Sequence, residues 1–198
     1  MTDAAAIAAR YDEWAQTYEH ELVDEWRYEA PVVAARLLAN TGIVRPVLDV
    51  GSGTGLVGRY LNEAGFDEID GIDVSPASLE AARASGVYRA LTRADFNDEQ
   101  LPIPDQTYGA VICVGVLSYA IDPGAVVREF CRLTKTDGRL VFTHRVDLWE
   151  SQDFGRTLRE LQETGLIRDL TWTDPSEYMP GNKELADIRI RYVSATVQ

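Results

Sequence analysis

Val47-Leu48-Asp49-Val50-Gly51-Ser52-Gly53-Thr54-Gly55-Leu56-Val57-Gly58 carries an apolar strand into a glycine-packed turn and then into a helix. Glycine adopts positive φ at little steric cost and lets a ligand approach the backbone closely, so the turn reads as a cradle for a nucleotide-type cofactor. The spacing alone does not name the cofactor.

Upstream of the turn, Pro31 favours the first turn of a helix that runs through Val32, Val33 and Leu37 and stops at Gly42. Before it, Ile7, Tyr11, Trp14 and Tyr18 recur at helical spacing, which places them on one face of a helix suited to a lid. Downstream, strand and helix alternate. A helix over Leu56–Ala64 stops at Gly65, a strand covers Ile69–Val74, a helix runs from Pro76 to Gly86, and a third strand spans Val87 to Arg93. The run Tyr108–Val116 is almost continuously apolar, as expected of a strand buried on both faces of a parallel sheet. A helix over Gly124–Thr134 and a strand from Arg139 to His144 follow. After a helix over Phe154–Thr164 the alternation breaks, and Ile167–Thr173 and Ile188–Val197 read as strands with no helix to join them, hence as an antiparallel hairpin at the sheet edge. The pattern predicts an α/β fold with a seven-stranded, mostly parallel sheet and helices on both faces.

Composition narrows the function. At 198 residues, 45% apolar with 8 prolines, the chain suits one domain with a sizeable core. Cys113 and Cys131 lie far from a C-x-x-C spacing and, with only 2 histidines in the chain, make no metal site, so both read as core residues. No run approaches the ~18 apolar residues of a membrane span. Met1-Thr2-Asp3 lacks the basic start of a signal peptide, and the expected location is therefore cytoplasmic. Thirty-two acidic against nineteen basic residues give a net charge of −13, which repels polyanions and argues against nucleic acid as a partner. The acids crowded into residues 1–30 read as a solvated face.

Three acids stand at the carboxyl ends of successive predicted strands: Asp49, Asp73 and Asp95. Ligands of open α/β sheets bind in the crevice outside those ends. Three acceptors there suit a ligand with an ammonium group, a ribose diol and an exocyclic amine, the layout of S-adenosylmethionine. Gly53, Gly55 and Gly58 also satisfy the G-x-G-x-x-G fingerprint of NAD(P)-dependent oxidoreductases, with Asp73 about 20 residues on. Against that alternative, Asp49 sets a negative charge where a pyrophosphate would lie, Asp95 is an acceptor the fingerprint does not ask for, and the terminal hairpin is not a mononucleotide-binding half.

In these motifs the chain resembles the class I S-adenosylmethionine-dependent methyltransferases of small-molecule type. Val47–Gly55 resembles the family's first motif, Gly71-Ile72-Asp73-Val74-Ser75 the acidic second, Ala94-Asp95-Phe96 the third and Tyr108–Cys113 the fourth strand. Tyr11-Asp12-Glu13-Trp14-Ala15-Gln16-Thr17-Tyr18 is similar to the opening of the Williams-Beuren-region methyltransferase-like group. The resemblance covers essentially the whole chain and implies a Rossmann-like core over 43–198 with a helical cap over 1–42, one domain in all. It implies that Gly51, Gly53 and Gly55 admit the methionine portion, that Asp49 holds the turn and the ammonium, and that Asp73 takes the ribose hydroxyls. By the same resemblance Val74 packs on adenine, Asp95 takes its amine beside the Phe96 backbone, and Val114 and Gly115 line the remaining wall. Tyr18 reaches the cofactor's carboxylate or the substrate.

Methyl transfer from a sulfonium asks for no nucleophilic side chain, and a base is needed only where the accepting atom is protonated. His144 and Tyr119 are the candidates, with His20 in the acidic segment, although a histidine ending a strand also serves structural ends. Val114-Gly115-Val116-Leu117-Ser118-Tyr119 lacks the Asn/Asp-Pro-Pro-Tyr/Phe motif of amide and nucleobase N-methylating members, which favours a small-molecule acceptor. Trp149, Trp172, Tyr178 and Met179 either line the acceptor pocket or close the core. Oxygen, nitrogen, carbon and sulfur acceptors are all compatible with these residues. A regulator or partner subunit that binds the cofactor without catalysis is the competing function.

Overall fold

The computed structural model describes Ala6, Ala9, residues 21–42 and residues 44–198. The expected lid helix with Tyr11, Trp14 and Tyr18, and His20 after it, lie outside the described residues.

The alternation of periods becomes a single sheet. Its strands are β1 (Val47–Val50), β2 (Ile69–Asp73), β3 (Tyr88–Arg93), β4 (Tyr108–Cys113), β5 (Thr134–Arg145), β6 (Ile167–Trp172), β7 (Ser176–Glu177) and β8 (Arg189–Val197). The order is β3-β2-β1-β4-β5-β8-β6, with β7 paired to β8. Pairing is parallel from β3 through β5 and antiparallel between β8 and each of β5, β6 and β7. The sheet has eight strands where the sequence pattern predicts seven. The extra strand is the two-residue β7, too short between Pro175 and Pro180 to leave a periodic signal. The predicted hairpin forms, but β8 threads between β5 and β6, so β6 rather than the pair ends the sheet opposite β3.

Helices α1 (Ala30–Ala39), α2 (Leu56–Glu63), α3 (Pro76–Ala84), α4 (Pro123–Leu133), α5 (Val146–Ser151) and α6 (Phe154–Glu163) cover the sheet. Ends are set by local chemistry. Proline occupies the first turn of α1, α3 and α4, where a missing N–H costs nothing, and the Ser75 hydroxyl and the Asp122 carboxylate accept from the N–H groups of Ser78 and Ala125. The helix α1, expected to belong to a cap, packs on α2 and β5 and buries Ala30, Ala34, Ala35 and Leu38. The short α5 and a 3-10 turn at Leu117–Tyr119 are elements that the sequence reading passed over, each under two turns long.

Strand alternation divides the core. Leu48, Val50, Val111 and Cys113 face one cluster with Phe130, Phe142, Phe154 and Leu158, while Val47, Ala110 and Ile112 face the other with Leu38, Leu61 and Phe66. All six residues of β4 are buried, as its unbroken apolar run requires. Both cysteines are buried in the first cluster. Chain order runs outward from β1 toward β3 on one side, and from β4 toward β5 on the other. The crevice between the carboxyl ends of β1 and β4 is therefore a topological switch point.

Phe130 ties α4 to the sheet and is 1% exposed. Phe130→Ala is expected to destabilise the protein by about 3–5 kcal/mol, read as a lower midpoint in equilibrium urea unfolding.

Candidate functional site

The glycine turn after β1 is the floor of the site. Gly51 has φ +72°, and a Cβ there would lie 2.5 Å from Val116 Cγ2, so geometry and space both require glycine. At Gly53 no heavy atom stands within 4 Å of a Cβ position. That open side faces a cavity of about 810 Å³ bounded by the carboxyl ends of β1, β2 and β4 and by the loops that follow β3 and β7. Gly55 and Gly58 serve packing instead, with Cβ positions 3.1 Å from Tyr88 Cε2 and 2.4 Å from its hydroxyl.

Tyr88 is the residue sequence reasoning missed beneath the turn. Its hydroxyl donates to Asp49 Oδ2 at 2.6 Å and accepts from the Gly58 N–H at 3.1 Å. Asp49 is 0% exposed, and its Oδ1 has no hydrogen-bond partner among the described residues. Burial pushes its carboxyl up to about 7, against the Tyr88 hydrogen bond that lowers it, and the nearby Asp73 charge adds to the rise. Placement corrects two expectations: Asp49 and Gly55 do not line the cavity but lie behind the turn that does. The signal was present in the crowding of Gly55, Gly58 and Gly71, which together make room for one large ring.

The other expected cofactor residues within the described range meet around the cavity: Gly51, Gly53, Asp73, Val74, Asp95, Phe96, Val114 and Gly115. Tyr18 lies outside the described residues. Asp73 ends β2, and its two oxygens accept from the N–H groups of Gly53 and Ser75, each at 2.9 Å. Asp95 Oδ1 accepts from the backbone and side-chain amide of Asn97 at 2.9 and 3.2 Å. Asn97 in turn accepts from the Ile121 N–H at 2.9 Å, tying this loop to the 3-10 turn after β4. The buried Ser52 hydroxyl lines the cavity without a hydrogen-bond partner among the described residues. Strand-end acceptors, an unpartnered hydroxyl and a glycine with no room for Cβ form a donor and acceptor set that fits an adenosyl-amino-acid ligand.

The two candidate bases separate. Tyr119 stands in the cavity wall. His144 does not: it is 2% exposed, its ring centre 4.7 Å from that of Phe154, and burial pushes its pKa down to about 4. The cause is strand alternation, which turns His144 into the core and its neighbour Arg145 into the cavity. The aromatic residues of the last third also divide. Tyr178 and Met179 line the cavity, whereas Trp149 and Trp172 pack edge to face at 5.2 Å beside His144 and Phe154. Leu22, Trp26 and Tyr28 complete the wall from the amino-terminal side. The Tyr28 hydroxyl sits over Gly115, where a Cβ would approach it to 2.3 Å, and its ring meets Tyr178 edge to face at 5.4 Å. Among the described residues no cysteine or histidine lines the cavity.

With this geometry in hand, comparison with known proteins is specific. A family described as a methyltransferase domain matches residues 48–142. The chain is 35% identical over 177 residues to methyltransferase-like protein 27 of Homo sapiens, covering 86% of this chain and 71% of that one. The chain belongs to the class I S-adenosylmethionine-dependent methyltransferases. A ubiquinone biosynthesis O-methyltransferase of Alkalilimnicola ehrlichii is 33% identical over 106 residues, half of this chain and 41% of that protein's length. In fold, the methyltransferase matches a Thermotoga maritima S-adenosylmethionine-dependent enzyme described as a possible histamine N-methyltransferase, with a TM-score of 0.69 at 17% identity over 96% of this chain and 99% of that one. Magnesium protoporphyrin IX methyltransferase of Synechocystis, solved with bound S-adenosylhomocysteine, gives 0.68 at 17% identity over 99% and 100% of the two chains.

The raised pKa of Asp49 sets a pH dependence. Between the ordinary carboxylate value of 3.8 and about 7 the folded state holds a proton that the unfolded chain releases. Stability from this group is therefore full below about pH 4 and lost as pH rises through 7, by an amount on the order of a few kcal/mol. Urea unfolding at about pH 5 and about pH 8 should show the parent losing more stability across this interval than Asp49→Asn.

Proposed function

We propose that the protein transfers the methyl group of S-adenosylmethionine to a small-molecule acceptor within the cavity over Gly51 and Gly115. The observation that carries this reading is the gathering of Asp73 and Asp95 at one end of a cavity whose other end, around Tyr28, Tyr178 and Met179, is aromatic and apolar. The cofactor, when bound, supplies a methyl group already activated on a sulfonium. Gly51, Ser52 and Gly53 would hold its amino-acid portion, Asp73 the ribose hydroxyls, Val74 and Phe96 the adenine faces and Asp95 the exocyclic amine. Val114 and Gly115 would wall the space beside the sulfur, and Tyr18 is assigned to the same site on sequence grounds alone. Asp49 and Gly55 act one layer below, through Tyr88, by holding the turn in shape.

The chain's own work is positional. The Tyr28 and Tyr178 rings, packed edge to face beside Gly115, would set the acceptor in line, and such orientation supplies ~7–11 kcal/mol of a barrier. Tyr119 is the base candidate that stands in the wall, and His144 has no part in proton transfer. The acceptor is taken as a small molecule because Val114–Tyr119 lacks the Asn/Asp-Pro-Pro-Tyr/Phe motif of amide and nucleobase N-methylating members, and a single domain, a cap over 1–42 on a core over 43–198, is part of the same reading. The relatives named for ubiquinone, histamine and magnesium protoporphyrin IX differ in the acceptor, so the accepting atom is left open. No helix among the described residues is long and apolar enough to cross a membrane, and the net charge of −13 opposes nucleic acid, which supports a cytoplasmic metabolic role.

Isothermal calorimetry with S-adenosylhomocysteine should give one site per chain, weakened about tenfold or more in Asp73→Ala, which removes a charged acceptor. Incubation of the parent with methyl-labelled cofactor and a metabolite extract should move label into a small-molecule fraction. Tight binding without transfer to any fraction would instead mark a regulator, and unchanged affinity in Asp73→Ala would overturn the site.

A further inference from the structure

Asp73 and Asp95 stand on one side of the cavity and Arg145 on the other, as the order of the strands that carry them requires. Asp73 and Asp95 follow β2 and β3, whereas Arg145 ends β5 and Lys183 lies on the loop before β8. In a chain of net charge −13, Arg145 brings a guanidinium to a wall that also carries Trp26, Tyr28, Tyr119 and Tyr178. Arg145 is also held for recognition. Its Nε and Nη2 donate to the two oxygens of Asp147 at 3.0 and 2.6 Å, in a fork that fixes the plane of the group. Its Nη1 donates to no group among the described residues, its side chain is 31% exposed, and Asp147 is not part of the wall.

We infer that the methyl acceptor is an organic acid with an aromatic or apolar body, whose carboxylate is received by the free edge of Arg145. This rests on reading the cavity as a methyl-transfer site, and adds the substrate class. Trp26, Tyr28, Tyr178, Met179 and Leu185 supply faces for the body. The Tyr178 phenol lies close to Arg145, and burial keeps it protonated by pushing its pKa up to about 12, so it leaves the guanidinium charge uncancelled. Lys183 adds a second positive charge to the same wall, and Glu184 beside it a negative one. One guanidinium edge, already sharing its charge with Asp147, suits a planar monoanion rather than a phosphate dianion. A carboxylate anchored there is not the accepting atom. The acceptor's nucleophile forms its bond to the methyl carbon elsewhere on the body, the pair of the broken carbon–sulfur bond stays on sulfur, and any proton on the nucleophile leaves through the Tyr119 hydroxyl to bulk solvent. Arg145 is thus a specificity residue for the acceptor, on the opposite side of the cavity from the acids assigned to the cofactor.

The test uses the full chain saturated with S-adenosylhomocysteine and two matched probe pairs, phenylpropionate against phenylpropionamide and naphthoate against naphthamide, with affinities from ligand-observed NMR. In the parent each acid should bind roughly tenfold more tightly than its amide, the value of one charge-assisted hydrogen bond. Arg145→Gln should abolish that ratio while binding S-adenosylhomocysteine as the parent does, Arg145→Lys should keep part of it, and Asp147→Asn should keep all of it. A purely structural role for the Arg145–Asp147 pair would lower the melting temperature of Arg145→Gln and Asp147→Asn alike and leave the acid-to-amide ratio unchanged. Equal binding of acid and amide in the parent, binding of neither, or a ratio that survives Arg145→Gln would overturn the proposal. Failure of the parent to bind S-adenosylhomocysteine would instead strike the methyl-transfer reading on which it rests.

Discussion

The hydrogen bond from the Tyr88 hydroxyl to Asp49 is the constraint on which the site depends. It joins β3 to β1 beneath the glycine turn, and the same hydroxyl receives the Gly58 N–H of the first turn of α2. A buried acid with one unpartnered oxygen is costly unless the other is well bonded, and a hydrogen bond to a charged acceptor contributes ~1.5–3 kcal/mol. The glycines follow from it. Gly55, Gly58 and Gly71 each leave space for the Tyr88 ring, so the turn is glycine-rich partly to accommodate a side chain below and partly, at Gly51 and Gly53, to open the backbone to a ligand above.

From that anchor the polarity of the cavity follows. Parallel strands deliver Asp73 and the loop with Asp95 to one side of the switch point, and the Asn97 clasp fixes that loop against the turn after β4. On the other side β5 delivers Arg145, and the loop after β7 brings Tyr178 and Met179 onto the amino-terminal segment, where the Gly181 N–H donates to the Trp26 carbonyl. One end of the chamber therefore accepts hydrogen bonds, and the other presents aromatic surface with a directed cation.

The parallel part of the fold was legible because its signals are local. Glycine and proline punctuate the helices, β4 is apolar throughout because both its faces are covered, and acids at strand ends pointed to Asp73 and Asp95. The cavity wall was legible to the same depth, since Val74, Phe96, Val114 and Gly115 all stand in it. Illegible were facts that depend on a side chain's direction by one residue. His144 and Arg145 are adjacent and both polar, yet the pleat sends one into the core and the other into the cavity. Trp149 and Tyr178 are both large aromatics after the last parallel strand, and only the path of the chain between β5 and β8 separates core from wall.

The sequence by itself determined the α/β alternation, the glycine turn and two strand-end acids of the cavity wall, because periodicity, turn chemistry and strand-end position are properties of neighbouring residues. Only the tertiary structure decided that Asp49 and Gly55 lie behind the turn, that Tyr88 holds them there, and that Tyr28, Tyr178 and Arg145 share one chamber. The reason is physical: these contacts join residues tens of positions apart, and no local propensity encodes which long-range partner fills a given space.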